Sequence, residues 1–196
     1  MNNKVGIFYN KQFNVLMISV DEKNTVNNFI EENGIAILKH NDEIIGFNVF
    51  DVEISIESVL CSENPTVINY LNKRLNGIYK LENNVQFRIG QIIEIEDIEG
   101  THLHKCLVDL GNETQQIVCG AKNAQKDLKV VVATVGSWMP NGMRIVEGKL
   151  RGIDSFGMLC SAKELGIEEG VYNDSGIIEL TDGVVGESFW GYHNAK

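Results

Sequence analysis

Lys149 and Arg151 stand two apart in Lys149-Leu-Arg-Gly152, a spacing that in an extended strand puts both cations on one face and Leu150 on the other. Such a pair suits an anion. It can contact phosphates, and a guanidinium can also stack on a base or fork onto its edge; the other reading is a solvated strand edge. Asn123, just after Gly120, carries donor and acceptor on one amide, which fits a base edge and equally a turn or helix cap. Lys122 beside it adds a cation. Ser161-Ala-Lys-Glu164 has the pattern of a capping box, with Ser161 accepting from the amide three residues on and Glu164 reaching back. That structural reading outweighs direct ligand contact, although a helix so capped would present its N-terminus to a phosphate, with Lys163 in its first turn. Gly157-Met-Leu-Cys160 reads as packing, with Met158 the exception, since a flexible thioether at a pocket rim can meet a base. Ser155 is either a hydroxyl donor or a turn residue, and Gly152 and Gly157 permit tight turns.

Other chemistry lacks its parts. His102 and His104 share a strand face, but two histidines without a third ligand do not make a zinc site. There is no Ser-His-Asp ordering, paired-carboxylate motif, P-loop or G-x-G-x-x-G. No catalytic residue, metal or cofactor is expected. Cys61, Cys106, Cys119 and Cys160 form no C-x-x-C and read as reduced, buried thiols. Trp138, in Gly136-Ser-Trp-Met-Pro140, sits on an expected loop where a base can stack, though a core or interface role fits it better. Trp190 and Tyr192 cover the same body or join a partner.

The elements that must position these groups fall into two sets. Of 196 residues, 43% are hydrophobic and 22% charged, enough for one large domain or two small ones. No apolar run approaches the ~20 residues of a membrane span, and the N-terminus has no secretory pattern, so the expected compartment is the cytoplasm. Residues 1–82 read as a small α+β module. Val5–Tyr9 and Phe13–Val20 are strand-like, and Gly34–Leu38 and Glu43–Phe50 flank an Asn41-Asp42 turn that suggests a hairpin. A helix is expected from Asn64 as N-cap and Pro65 at the first position, with Val67, Leu71 and Leu75 as its stripe, Ile68 alongside and Gly77 as its stop. After the polar stretch Leu81-Glu-Asn-Asn84, five strands are expected at Ile89–Ile98, Leu103–Leu110, Gln115–Val118, Lys129–Val135 and Met143–Leu150. Their near-regular spacing favours a small closed barrel over 87–190, with 191–196 as a tail.

Three strings in that second half are specific: Gln116-Ile-Val-Cys-Gly-Ala-Lys-Asn123, Val130-Val-Val-Ala133, and Lys149-Leu-Arg-Gly-Ile-Asp-Ser-Phe-Gly-Met-Leu-Cys-Ser-Ala-Lys-Glu-Leu-Gly166. Together they resemble the tRNA-binding domain family, which includes the N-terminal barrel of the bacterial phenylalanyl-tRNA synthetase β subunit. The whole layout looks like the YtpR group of bacterial proteins. The resemblance implies an all-β OB-fold, a five-stranded Greek-key barrel with a short capped helix. It also implies a non-catalytic, cytoplasmic accessory protein that recognises folded tRNA by backbone and shape, without strong sequence preference, as a homodimer. The RNA-binding residues so implied are Lys122, Asn123, Lys149, Arg151, Ser155, Met158, Ser161, Lys163 and Glu164. Charge argues for a second reading. Residues 1–86 hold 7 basic and 11 acidic groups, 87–170 hold 9 and 12, and 171–196 hold 1 and 4. His102 and Val146-Glu147 fall where the family is usually basic, while Lys122 adds a cation where proline is common. On that reading the barrel is a protein-interaction or dimerisation module that kept its fold and lost strong RNA binding; a small ligand or oligosaccharide is a third option.

Overall fold

The computed structural model describes residues 4–21 and 23–195, which divide into two compact units. One comprises the chain up to Asn84 together with Trp138–Gly142, and the other comprises Val85–Ser137 with Met143 onward.

The first unit is an antiparallel sheet with one helix against its apolar face. Its strands are β1 (Gly6–Asn10), β2 (Val15–Ser19), β3 (Asn28–Glu32), β4 (Ile35–His40) and β5 (Glu43–Phe50), in the spatial order β1-β2-β5-β4-β3. Two-residue turns set the register. The expected hairpin at Asn41-Asp42 is present, with His40 opposite Glu43 and Asn41 at φ 55°. A second lies at Asn33-Gly34, where φ values of 53° and 72° are those of a type I′ turn. Its outer strand, β3, was not expected. All five of its residues are exposed, so it has no burial alternation for a sequence pattern to reveal. Helix α1 (Pro65–Arg74) starts as read. Asn64 accepts from the Thr66 and Val67 amides, and Pro65 fills the first turn, where no intrahelical donor is needed. Leu75 caps its end and Gly77 follows at φ 80°. Val67, Ile68, Leu71 and Leu75 pack among Ile7, Leu16, Ile18, Phe47 and Val49.

Trp138 is a buried part of this first unit. It is 4% exposed, stands edge-on to Phe8 at 6.3 Å between ring centroids, and donates its indole N–H to the Lys4 carbonyl at 3.2 Å. The base-stacking reading is therefore corrected, and the core reading holds.

The second unit is a nearly closed five-stranded antiparallel barrel. β6 (Phe87–Asp97), β7 (His104–Asp109), β8 (Thr114–Cys119), β9 (Lys129–Ala133) and β12 (Met158–Leu159) run in the order β12-β9-β6-β7-β8. β6 is long because it serves two partners. Phe87–Gln91 pair with β9 and Gln91–Asp97 with β7, and a register shift lies between Ile92 and Glu94, the kind of irregularity that bends a strand round a barrel. Gly90 sits beside that crossing, where a Cβ would come within 2.7 Å of Val108 and 2.9 Å of Val132. Alternate residues point inward: Cys106, Val108 and Leu110, then Ile117 and Cys119, then Val130 and Val132, joined by Ile92, Leu159 and Ile177. A short helix, α2 (Phe189–His193), takes in residues expected as tail, and Trp190 stands edge-on to Phe87 at 6.0 Å.

The fifth barrel strand differs from the expected one. Met143–Leu150 does not form it. Ile145 is held outside the sheet by hydrogen bonds with Gly136 and Ser137. The stretch then enters a separate two-stranded ribbon, β10 (Gly148–Leu150) with β11 (Ile153–Ser155). The strand that completes the barrel, β12, has two residues, too few for any periodicity to show. The first turn of α1 gives a direct test: Asn64→Ala should lower stability to urea by about 1 kcal/mol, whereas Asn64→Asp, which keeps the accepting oxygen, should not.

Candidate functional site

The β10–β11 ribbon turns on Arg151 and Gly152, at φ 51° and 84°, with Leu150 opposite Ile153. Both turn residues are left-handed, the type I′ pattern that favours asparagine and glycine. An arginine there carries a penalty of roughly 1–2 kcal/mol against glycine. The expected alternation of Lys149 and Arg151 along one strand is thus corrected, because the strand ends at Leu150 and only Lys149 lies on it. Lys149 sits opposite Asp154, and its Nζ lies 3.2 Å from Asp154 Oδ1, with side chains 67% and 49% exposed. So open a pair contributes at most about 1 kcal/mol. Arg151 is exposed and, among the described residues, joins no ion pair.

The root of the ribbon closes the barrel. The Gln116 side-chain amide donates to the Asp154 carbonyl at 2.7 Å, and the Phe156 amide donates to the Gln116 carbonyl at 2.9 Å. Between them Ser155, 5% exposed, accepts from the Val118 amide at 3.0 Å and lies 3.4 Å from the Gly157 carbonyl. Its hydroxyl is engaged inside the wall. Of its two readings, the structural one describes the geometry.

Beyond β8 the chain reaches Lys122, exposed, and Asn123. The Asn123 amide treats Ile177 as a strand neighbour would. Its Oδ1 accepts from the Ile177 N–H at 3.1 Å, and its Nδ2 donates to the Ile177 carbonyl and to Glu179 Oε1, each at 2.9 Å. A group with both ends so engaged is a brace between segments 54 residues apart. Met158, Ser161 and Glu164 line one depression of about 380 Å³ with Cys119, Gly120 and Ile177. Lys163 borders a neighbouring hollow of about 480 Å³, together with Glu168, Glu169 and Asp174.

The capping box forms without its helix. Glu164 Oε2 accepts from the Ser161 amide at 2.8 Å and from its hydroxyl at 2.7 Å, while Ser161 Oγ accepts from the Glu164 amide at 3.3 Å. One turn later the chain stops. The Ile167 amide donates to the Ala162 carbonyl, the Gly166 amide donates to the Lys163 carbonyl, and Gly166 is left-handed at φ 68°. That is a Schellman ending. Start and stop signals stand so close that a single turn fits between them, so the expected short helix, and any helix N-terminus for a phosphate, is corrected to a capped turn.

Sequence reasoning missed the partners. Asp154 mirrors Lys149 across Arg151-Gly152, and reading that dipeptide as a turn would have found it. Gln116, Ile177 and Glu179 carry no local signal, since their contacts span 38 to 56 residues. The two histidines separate: His104 Nδ1 lies 2.8 Å from Asp97 Oδ1, while His102 precedes β7 near Gly120. Among the described residues no group of three His, Cys, Asp or Glu side chains can hold a metal. Burial pushes the thiols of Cys61 and Cys106 up to about 12 and raises Cys119 and Cys160 as well. The neutral thiol is a poor nucleophile and metal ligand.

The brace can be tested alone. Asn123→Ala leaves the buried Ile177 N–H unpaired and should lower urea stability by about 1–3 kcal/mol. Asn123→Asp sets a carboxylate against Glu179 and should not restore it. An unchanged unfolding midpoint in Asn123→Ala would exclude the bracing role.

The family described as “Putative tRNA binding domain” matches residues 87–185. The phenylalanine–tRNA ligase beta subunit of Streptococcus pneumoniae is 42% identical over 108 residues, covering 53% of this chain and 14% of that protein. The chain thus spans about one seventh of the length of the ligase subunit it matches. An uncharacterized protein of Mycoplasma pneumoniae, the MG449 homolog, is 37% identical over 160 residues, covering 76% of this chain and 67% of its own length. The crystal structure of a MetRS related protein from Pyrococcus horikoshii is 23% identical and covers 52% of this chain and 85% of that one, with a TM-score of 0.37. With half its length matched by the family and a relative alike over two thirds of its own, this chain belongs to the tRNA-binding domain family.

Proposed function

We propose that the chain is a non-catalytic tRNA-binding accessory protein whose barrel, an OB-fold of Greek-key form, holds folded tRNA by backbone and shape. The observation that carries this is the family match over residues 87–185. The ligase likeness covers the binding domain alone, so no synthetase chemistry comes with it. Two features of the ribbon support the reading. Its tip holds arginine where glycine or asparagine relieves strain, and strain retained at an exposed turn points to use. Its two cations are also open to solvent, Arg151 exposed and Lys149 held only by an open pair, and Lys122 and Lys163 elsewhere in the unit are exposed too. In this reading Lys122, Lys149, Arg151 and Lys163 take phosphates, Arg151 also stacks or forks onto a base, and Met158 meets a base at the depression. Asn123, Ser155, Ser161 and Glu164 position them. No helix among the described residues is long and apolar enough to cross a membrane, and we assign the protein to the cytoplasm, where tRNA is used.

The second reading, a protein-interaction module, is favoured by the carboxylates at the same place: Asp154 on Lys149, Glu179 on Asn123, and Glu168, Glu169 and Asp174 beside Lys163. Gel shift with bulk tRNA separates the two. For tRNA binding, affinity should fall steeply with salt. Lys149→Ala with Arg151→Ala should weaken it at least tenfold and flatten the salt slope by roughly 1.5–2, as loss of two phosphate contacts predicts. Asp154→Asn, which frees Lys149, should tighten it. Arg151→Asn should weaken binding while keeping or raising stability, which no purely structural role of Arg151 predicts. No shift at low salt, or shifts unchanged by the double substitution, would count for the interaction module.

A further inference from the structure

The outer edge of β3 is a second surface, unrelated to RNA. All five residues of β3 are exposed, with Phe29 at 60% and Ile30 at 45%. β3 pairs with β4 on one side and with no described strand on the other. At the opposite end of the sheet β1 is covered, since Tyr9 donates to the Val59 carbonyl and Cys61 donates to Ile7. An uncovered edge with apolar side chains is a template for another strand.

The turn fixes which groups that edge presents. A two-residue type I′ loop closes on a hydrogen-bonded pair, here Glu32 with Ile35. Because bonded and non-bonded pairs alternate along an antiparallel ladder, Glu32 and Ile30 direct their amides to β4, and Phe29 and Glu31 direct theirs outward. Asn27 donates to the Lys39 carbonyl and so faces inward too.

We propose that this edge pairs with the same edge of a second copy of the chain, antiparallel and centred on Ile30. Ile30 then stands opposite Ile30 of the second copy, and Phe29 exchanges two hydrogen bonds with Glu31 on each side of the two-fold axis, four in all. Charge selects the arrangement. Each Glu31 meets a phenylalanine and each Glu32 meets Asn28, whose other neighbour in the row is Lys39. A parallel pairing stacks Glu31 and Glu32 on themselves, and centring on Glu31 does the same for one pair; like charges directly opposite destabilise a sheet. Centring on Phe29 calls on the Asn27 amide, which is already engaged. The Ile30-centred row also extends an apolar line through Ile37 to Phe47, continuous with the first core.

Sedimentation equilibrium of the whole chain at tens of micromolar tests the pairing, with twice the 21.9 kDa chain mass expected. Glu31→Pro removes an outward donor and no β4 bond, and it should return the single-chain mass with an unchanged circular dichroism spectrum. Ile30→Cys reports the register independently. Opposed non-bonded Cα atoms lie ~4.5 Å apart, within disulfide reach. Oxidised glutathione should therefore link two copies at this position, one disulfide forming as each glutathione disulfide is reduced to two thiols. Asn28→Cys, opposite Glu32, should not link, and the four native cysteines are buried. A wild-type chain at single-chain mass at every concentration, a dimer that survives Glu31→Pro in folded protein, or Asn28→Cys linking as readily as Ile30→Cys would each overturn the proposal.

Discussion

The side of β8 that faces away from β7 receives the chain a second time between Asp154 and Phe156, and a few hydrogen bonds make that join. The Gln116 side chain, the Gln116 carbonyl and the Val118 amide each take one partner from the returning segment. Without it β8 would be a bare edge and the inward residues Ile117 and Cys119 would lose their cover. The same segment carries the ribbon outward at Arg151-Gly152 and β12 inward at Met158-Leu159. Wall closure and presentation of the cations are therefore one structural event. Ser155, the smallest polar residue able to bond the wall from within, is its hinge pin.

Around that join the electrostatics are finely divided. The chain carries ten more acidic than basic groups, and several of its acids stand beside the cations on the barrel. In an acidic field of this kind, long-range attraction for a polyanion is weak, and contact has to come from groups that reach past the carboxylates. A turn that projects from the wall achieves that geometrically. The short Debye length of cell salt, ~8 Å, then lets a projecting arginine act locally while the distant acids are screened.

Where the chain signals through neighbours in sequence, the structure could be read beforehand. Helix α1 was legible down to its cap because Asn64, Pro65 and the stripe at 67, 71 and 75 act within a few residues of one another. The barrel strands β6 to β9 were legible by their near-regular spacing, and the family strings carry the segments of the candidate site. What escaped was of two kinds. β3 and β12 lack a readable pattern, one because both its faces are exposed and the other because it is two residues long. The partners Gln116 and Glu179 were invisible because contacts between segments 38 and 56 residues apart, not local preference, bring them to the candidate site, whereas Asp154 was hidden only by reading Arg151 as part of the strand. Two expectations failed through competing local rules. Gly152 ended the strand that was to align Lys149 with Arg151, and Gly166 ended the helix that Ser161 began.

Gly176 has a consequence of its own. It is left-handed at φ 77°, and a Cβ there would come within 2.1 Å of Asn123 Oδ1. No side chain, however small, fits while Asn123 keeps its bonds to Ile177. The coupling therefore runs one way: drift at 176 is barred while Asn123 keeps those bonds, and glycine stays favoured at 176 even after 123 has changed, because the left-handed backbone strains any side chain there. Among descendants of this chain a side chain at 176 should appear only where 123 is no longer asparagine, while glycine at 176 can outlast that asparagine.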